Sequence, residues 1–267
     1  MSLQLWFRWH VGYVFWGAVL FLIAGTALYP TGVQYVEDAL YAINPSAERA
    51  LQYAERHFDA KRSRLYDIER TEYFLREAVA LDPGLPYIYH ELARVAFLRG
   101  NFNRALALIN THISLHGEVT PNSYYVRGLI EGYMGKYEAA ATDYETYLEF
   151  DSDNWAAIND YAWVLLKANR PEEAAKATAR GVEIFPDNPW LLNSLAIALY
   201  ETGELDAALA AAQKAQLNVT KVTEAEWLVA YPGNDPKIAG AGITALRKSI
   251  EDNMHSIERA LGAAEVQ

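Results

Sequence analysis

Two histidines four residues apart, His112 and His116 in "NTHISLHGEV", form the pair in this 267-residue sequence whose spacing suits a metal. On a helix such a pair shares one face and can offer two imidazole nitrogens to one ion. A third ligand would have to come from His90 or Glu118, and nothing in the spacing brings either one there. Histidines close to a helix end more often serve the dipole or meet solvent. Metal binding through His112 and His116 is therefore the minor reading, and no metal or cofactor is expected. The sequence has no cysteine, which removes disulfides, thiolate metal sites, a cysteine nucleophile and lipidated cysteines together. It has no Gly-rich phosphate loop after a strand, no G-x-S-x-G nucleophile motif and no EF-hand pattern. The adjacent carboxylates Glu172 and Glu173 sit in "RPEEAAK", which reads as a helix start with its acids toward solvent. The chain is expected to be non-enzymatic.

Charge narrows the partners. A net charge of -11 argues against nucleic acid, because phosphate neutralisation requires clustered Lys and Arg. A basic partner is compatible, although an acidic surface ordinarily serves solubility. With 52% hydrophobic and 21% charged residues the chain can bury a sizeable core.

The elements that must position any binding residues are legible from a repeat. Gly100, Gly135, Asn169 and Gly203 recur at about 34 residues, and Ala105, Ala140, Ala174 and Ala208 follow five residues later. The segments "PYIYHELARVAFLRG", "PNSYYVRGLIEGYMG", "WAAINDYAWVLLKAN" and "PWLLNSLAIALYETG" align ahead of these turns, each with a small residue at Ala93, Gly128, Ala162 or Ala196. This period, with a helix, a turn and a second helix per unit, resembles the tetratricopeptide repeat family over roughly residues 86–222. The resemblance implies an all-α solenoid of stacked helix pairs, each covering the apolar face of its neighbour. The family's terminal prolines survive in part, as Pro83 and Pro186. Arg127 stands where an apolar residue is usual and Glu131 where an aromatic is usual, so the second repeat is expected to pack differently.

In the family, the first helix of each repeat lines a concave groove that holds a peptide, helix or loop. Carried onto this sequence, the lining is Tyr87, His90, Arg94 and Phe97; Asn122, Tyr125, Leu129 and Tyr133; Asn159, Asp160, Trp163 and Lys167; and Trp190, Asn193, Ile197 and Tyr200. This set is rich in aromatics, which give rigid contact area, and in amides, which can bond a peptide backbone in both senses. His90 with Arg94 would suit a carboxylate.

Residues 11–29 carry no charge and are almost long enough to cross a bilayer, with Trp6, Trp9 and Trp16 toward one interface and Tyr29 and Tyr35 toward the other. An uncleaved, single-pass N-terminal transmembrane helix is expected; a cleaved signal peptide is the alternative, with Gly25 and Ala27 as the small residues. Arg8 before the span and Glu37 and Asp38 after it favour a cytoplasmic N-terminus, with the repeats periplasmic or extracytoplasmic.

Between span and repeats, Ser46 marks a helix start, and a second helix ends at "LDPG" as the remnant of a degenerate terminal repeat. The basic run "DAKRSRLYDIER" reads as a solvated helix face. Beyond the repeats, Pro-Gly and Asn-Asp-Pro signal a loop. A last amphipathic helix, about residues 240–263, carries Ile243, Leu246, Ile250, Met254, Ile257 and Leu261 and is expected to cap the final repeat in preference to forming a coiled-coil seam. The expected organisation is an anchor at 1–36, a helical linker and degenerate repeat at 37–85, four repeats (86–120, 121–154, 155–188, 189–222), and a loop and capping helix at 223–267. Resemblance to membrane-anchored repeat proteins implies a scaffold or adaptor that binds protein or peptide partners, in an envelope, secretion or pilus-like assembly. A permanent subunit of a membrane complex is the alternative.

Overall fold

The computed structural model describes residues 30–117 and 120–264, which form thirteen α-helices with short 3₁₀ turns at 60–62 and 236–238 and no strand among them. The expected span at residues 11–29 lies outside the described residues. Among those described, no helix is long and apolar enough to cross a membrane. Helix α1 is described over Pro30–Ile43, so the boundary expected at residue 36 falls inside a helix. The chain divides into two compact units, residues 30–58 with 64–85, and residues 86–264 with 59–63.

In the first unit α1 is joined by α2 (Ala47–Phe58) and α3 (Ile68–Leu81). Ser46 caps α2 by accepting from the Arg49 amide at 3.2 Å, and Asp67 caps α3 through the Arg70 amide at 3.0 Å. The helices meet over a buried aromatic centre, with Phe74 edge-on to Tyr41 at 5.5 Å and to Tyr53 at 5.2 Å. Beside it, buried Glu37 accepts from Arg56 Nη1 at 2.8 Å and lies 2.7 Å from His57 Nε2. Burial alone would raise the Glu37 carboxyl, but the hydrogen bonds and charges of His57 and Arg56 outweigh it and hold the group below its ordinary range. The sequence reading took only α3 as half of a repeat, whereas α2 and α3 pack directly as a helix pair. The basic run is solvated as expected, with Lys61, Arg62 and Arg64 exposed, but its centre is a 3₁₀ turn, capped by Asp59 at the Lys61 amide, and loop in place of a helix.

The second unit stacks four helix pairs: α4 (Ile88–Leu98) with α5 (Phe102–His116), α6 (Asn122–Tyr133) with α7 (Tyr137–Phe150), α8 (Trp155–Lys167) with α9 (Pro171–Ile184), and α10 (Pro189–Glu201) with α11 (Leu205–Val219). Each pair turns on a residue in the left-handed region: Gly100, Gly135, Asn169 and Gly203 have φ of 71°, 78°, 60° and 84°. Gly adopts that conformation without a Cβ clash and Asn tolerates it, which is why these types recur at this place. Ala93, Ala105, Ala140, Ala162, Ala174, Ala196 and Ala208 are fully buried, so neighbouring helices meet at close range. A side chain on Gly128 would lie 3.2 Å from the Ala140 carbonyl and from the Tyr144 ring.

The unusual Arg127 is accommodated by a bidentate pair with Asp143, both bonds 2.6 Å, and by a cation–π contact 5.5 Å above the Tyr124 ring. The final elements are α12 (Glu224–Ala230), started by a Thr223–Glu226 capping box, and α13 (Ala239–Ala264). As expected of a cap, α13 lies on α10 and α11 and buries Ile250 and Ile257, with Leu246, Met254 and Leu261 partly covered.

Candidate functional site

The first helices of three successive repeats are tied together by a polar chain. Tyr125 on α6 donates its hydroxyl to Asp160 Oδ2 at 2.8 Å; on α8, Asn159 donates to Asp160 Oδ1 at 3.2 Å; Ser194 on α10 donates to Asn159 Oδ1 at 2.8 Å. The spacings of 35 residues between Tyr125 and Asp160, and between Asn159 and Ser194, are one repeat, so the stacking itself brings these partners into register. Asp160 is enclosed by protein and reaches solvent only in part, through the cavity that it lines. Burial pushes its carboxyl up to about 6, against the pull of the Tyr125 and Asn159 hydrogen bonds. Burial also raises the Tyr133 and Tyr231 phenols, and the Asp160 charge contributes to both.

Aromatic rings wall the cavity in two groups. Tyr133 meets Phe97 edge-on at 5.1 Å and Trp163 at 5.4 Å. Trp163 packs against Gly132, where a Cβ would come within 2.7 Å of its ring. In the second group Trp190 packs on Trp155 at 5.2 Å and donates its indole N–H to the Tyr231 hydroxyl at 3.1 Å, while Trp227 packs on Tyr231 at 4.9 Å. The turn after α12, Tyr231 to Asn234, closes over the concave side. It is linked to the first repeat by Arg94, whose Nη2 donates to the Pro232 carbonyl at 3.3 Å. The cavity volume is about 670 Å³, within the range of a pocket for a small ligand.

Eleven of the expected groove residues line this cavity: Arg94, Phe97, Tyr125, Leu129, Tyr133, Asn159, Asp160, Trp163, Trp190, Asn193 and Ile197. Five do not. Tyr87 caps α4 at φ 71° and leans on the His90 and His112 rings. His90 is buried and bonds Ser123 Oγ at 3.0 Å. Asn122 begins α6 in solvent, and Lys167 is exposed at the end of α8. Tyr200 packs into the cluster under Ile257 of α13, which occupies the end of the concave face. His90 and Arg94 therefore do not converge on a carboxylate: His90 points into the core, and Arg94 is engaged by Glu91 at 2.8 Å and by Pro232. The sequence reading missed the contributions of Phe102, Trp227, Tyr231 and Pro232. Phe102 opens a second helix, and the other three belong to the segment after the repeats, where periodicity gives no register.

The histidine pair gains His90 as a neighbour. The rings of His112 and His116 are 5.3 Å apart and His90 lies 5.6 Å from His112. His112 Nε2 is 3.0 Å from Thr120 Oγ1. Burial lowers His90 to about 3, with the Arg94 charge adding, and lowers His112 to about 4, with His90 and His116 adding. Glu118 lies outside the described residues. No group of three or more His, Cys, Asp or Glu among the described residues is arranged to hold a metal ion.

Comparison with known proteins agrees with the architecture. Tetratricopeptide repeat profiles match residues 125–189 and 189–214. No curated protein matches the sequence. Among solved structures, a MamA double mutant (RS-1 ArsTM) superposes with a TM-score of 0.58 at 14% identity, covering 66% of this chain and 95% of its own. A further crystal structure of MamA gives 0.53 at 17% identity, covering 58% and 90%. YrrB, described as a tetratricopeptide repeat protein with an unusual peptide-binding site, gives 0.50 at 19% identity, covering 72% and 97%. At these identities the likeness is one of fold.

Proposed function

Since the chain belongs to the tetratricopeptide repeat family, we propose that it is a non-catalytic adaptor that captures a partner polypeptide in the cavity on its concave side. The observation that carries this reading is the cavity itself: rigid aromatic walls, an amide and carboxylate chain spanning three repeats, and a volume that admits several side chains of a partner segment. Closure by the Tyr231–Asn234 turn refines the expectation of an open groove. The turn covers part of the groove and leaves the rest open, an arrangement that suits a side chain presented by an extended segment or loop. YrrB offers a precedent for peptide binding on this fold.

The reading includes an anchor at residues 11–29, supported by their uncharged, apolar character, with the N-terminus cytoplasmic and the repeats across the membrane. Work in an envelope, secretion or pilus-like assembly follows from resemblance to membrane-anchored repeat proteins. The sequence has no cysteine, so a single Cys at Ser152, in the turn between α7 and α8, tests the topology. Labelling of that thiol in intact cells by an impermeant maleimide supports this orientation, and protection until lysis reverses it.

The capture reading is tested by Tyr133→Ala with Trp163→Ala. The double variant is expected to keep its helical circular dichroism and lose partner capture. Unchanged capture by the folded double variant would remove the cavity from consideration.

A further inference from the structure

The cavity holds a carboxylate that the capture reading leaves unexplained. Asp160 accepts two hydrogen bonds, from Tyr125 and Asn159, and pairs with no Lys or Arg among the described residues. The Tyr125 hydroxyl does not require a charge there, since an Asn at the same place would accept it equally well without a desolvated anion. Of the described residues that line the cavity, Arg94 is the one cation, and its guanidinium is engaged by Glu91 and the Pro232 carbonyl. The walls are π faces, and aromatic quadrupoles attract a cation within about 6 Å of the ring. An enclosed anion surrounded by rings has the composition of a cation receptor, and a net charge of -11 raises the local concentration of basic partners.

We propose that the cavity receives one basic side chain, an Arg or Lys presented by an extended segment of a partner protein, which pairs with Asp160 against the rings of Tyr133, Trp163, Trp190 and Tyr231. This rests on the capture reading and specifies its ligand. The partner's cation supplies the counter-charge that the described residues do not, and the Tyr125 and Asn159 bonds hold the carboxylate in position for it. The polarity is opposite to the one inferred from His90 and Arg94 in the sequence, where a partner carboxylate was expected.

The test is a selection of random dodecapeptides displayed on phage against the full chain, run in parallel against Asp160→Asn and Trp163→Ala. The expected result is enrichment of peptides sharing one Arg or Lys on the wild-type chain, absent on Asp160→Asn. The best peptide should bind about ten-fold more tightly than its norleucine counterpart, and that preference should fall to about two-fold or less on Asp160→Asn, which thermal melting would show to be folded. Peptides enriched through the cavity, and lost with Trp163→Ala, but without a shared basic residue would overturn the cation assignment and leave capture standing. So would a basic preference that survives in Asp160→Asn. Enrichment unaffected by Trp163→Ala, or none at all, would overturn both.

Discussion

Asp160→Asn is expected to stabilise the unliganded repeat unit above pH 7, an uncommon direction for a change at a hydrogen-bonded position. The carboxyl is raised from 3.8 to about 6 in the folded chain. A difference of roughly 2 pH units corresponds to about 3 kcal/mol. Water entering the cavity screens the charge, so the realised gain is expected at roughly 1–3 kcal/mol. The sign follows from linkage. A carboxyl with a raised folded pKa binds its proton more tightly when folded, so below about pH 4 both states are protonated and the group imposes no penalty. The penalty grows as pH rises from about 4 through 6 and is complete above it. Asn keeps an oxygen for the Tyr125 hydroxyl and removes the charge, while its amide nitrogen gives up the Asn159 bond, which offsets about 1 kcal/mol of the gain. Urea unfolding of wild type and variant at pH 8 and pH 4 is the assay, with a melting temperature raised by about 2–4 °C per kcal/mol at the higher pH. A variant less stable at pH 8, or a difference that is the same at both pH values, would refute the argument, because the carboxylate would then be a net stabilising acceptor. Stability given up at a binding residue is a recurrent trade in functional sites.

Two further outcomes follow from other parts of the structure. His90 is buried neutral against Ser123 with its pKa lowered to about 3, so the unfolded chain binds a proton at this residue below about pH 6.5 that the folded chain refuses. Stability should therefore fall between pH 6.5 and 4.5 by up to roughly 3 kcal/mol from this group; urea unfolding of His90→Asn should show a flatter pH dependence, and an unchanged slope would contradict the assignment. Gly242→Ala places a Cβ within 2.3 Å of the Trp227 indole, which must move, loosening the turn that closes the cavity. A loss of about 1–3 kcal/mol with a red shift in tryptophan emission is expected, and an unshifted spectrum with unchanged stability would show that Trp227 does not hold the closure.

The repeat was readable because backbone geometry constrains residue type at fixed places. The left-handed turn admits Gly100, Gly135, Asn169 and Gly203 and disfavours most other residues, and close helix contact admits Ala93, Gly128, Ala162 and Ala196. The capping helix was readable for a similar reason, since Ile243, Ile250 and Ile257 recur every two turns and all are buried. Where the chain leaves periodicity, side-chain direction depends on partners that spacing does not specify. Trp227 and Tyr231 looked like loop aromatics, yet they close the cavity by packing on Trp190 and each other. His90 occupies a lining register but turns toward Ser123 in the next repeat, where the Tyr87 and His112 rings pack beside it. Arg127 broke the family pattern, and its compensation by Asp143, sixteen residues away, depends on how α6 meets α7. Asp160 was legible as a lining residue, but its isolation from any cation among the described residues is a property of the assembled cavity.

Site-specific photocrosslinking tests capture in the cavity most directly. A benzoylphenylalanine placed at Tyr133, which lines the cavity and is 57% exposed, is compared in cells with one at Lys176, exposed on α9 away from it. A discrete adduct is expected from position 133 that disappears when Asp160→Asn is added, and none from position 176. Adducts at 176 alone, or an adduct at 133 indifferent to Asp160, would contradict capture in the cavity.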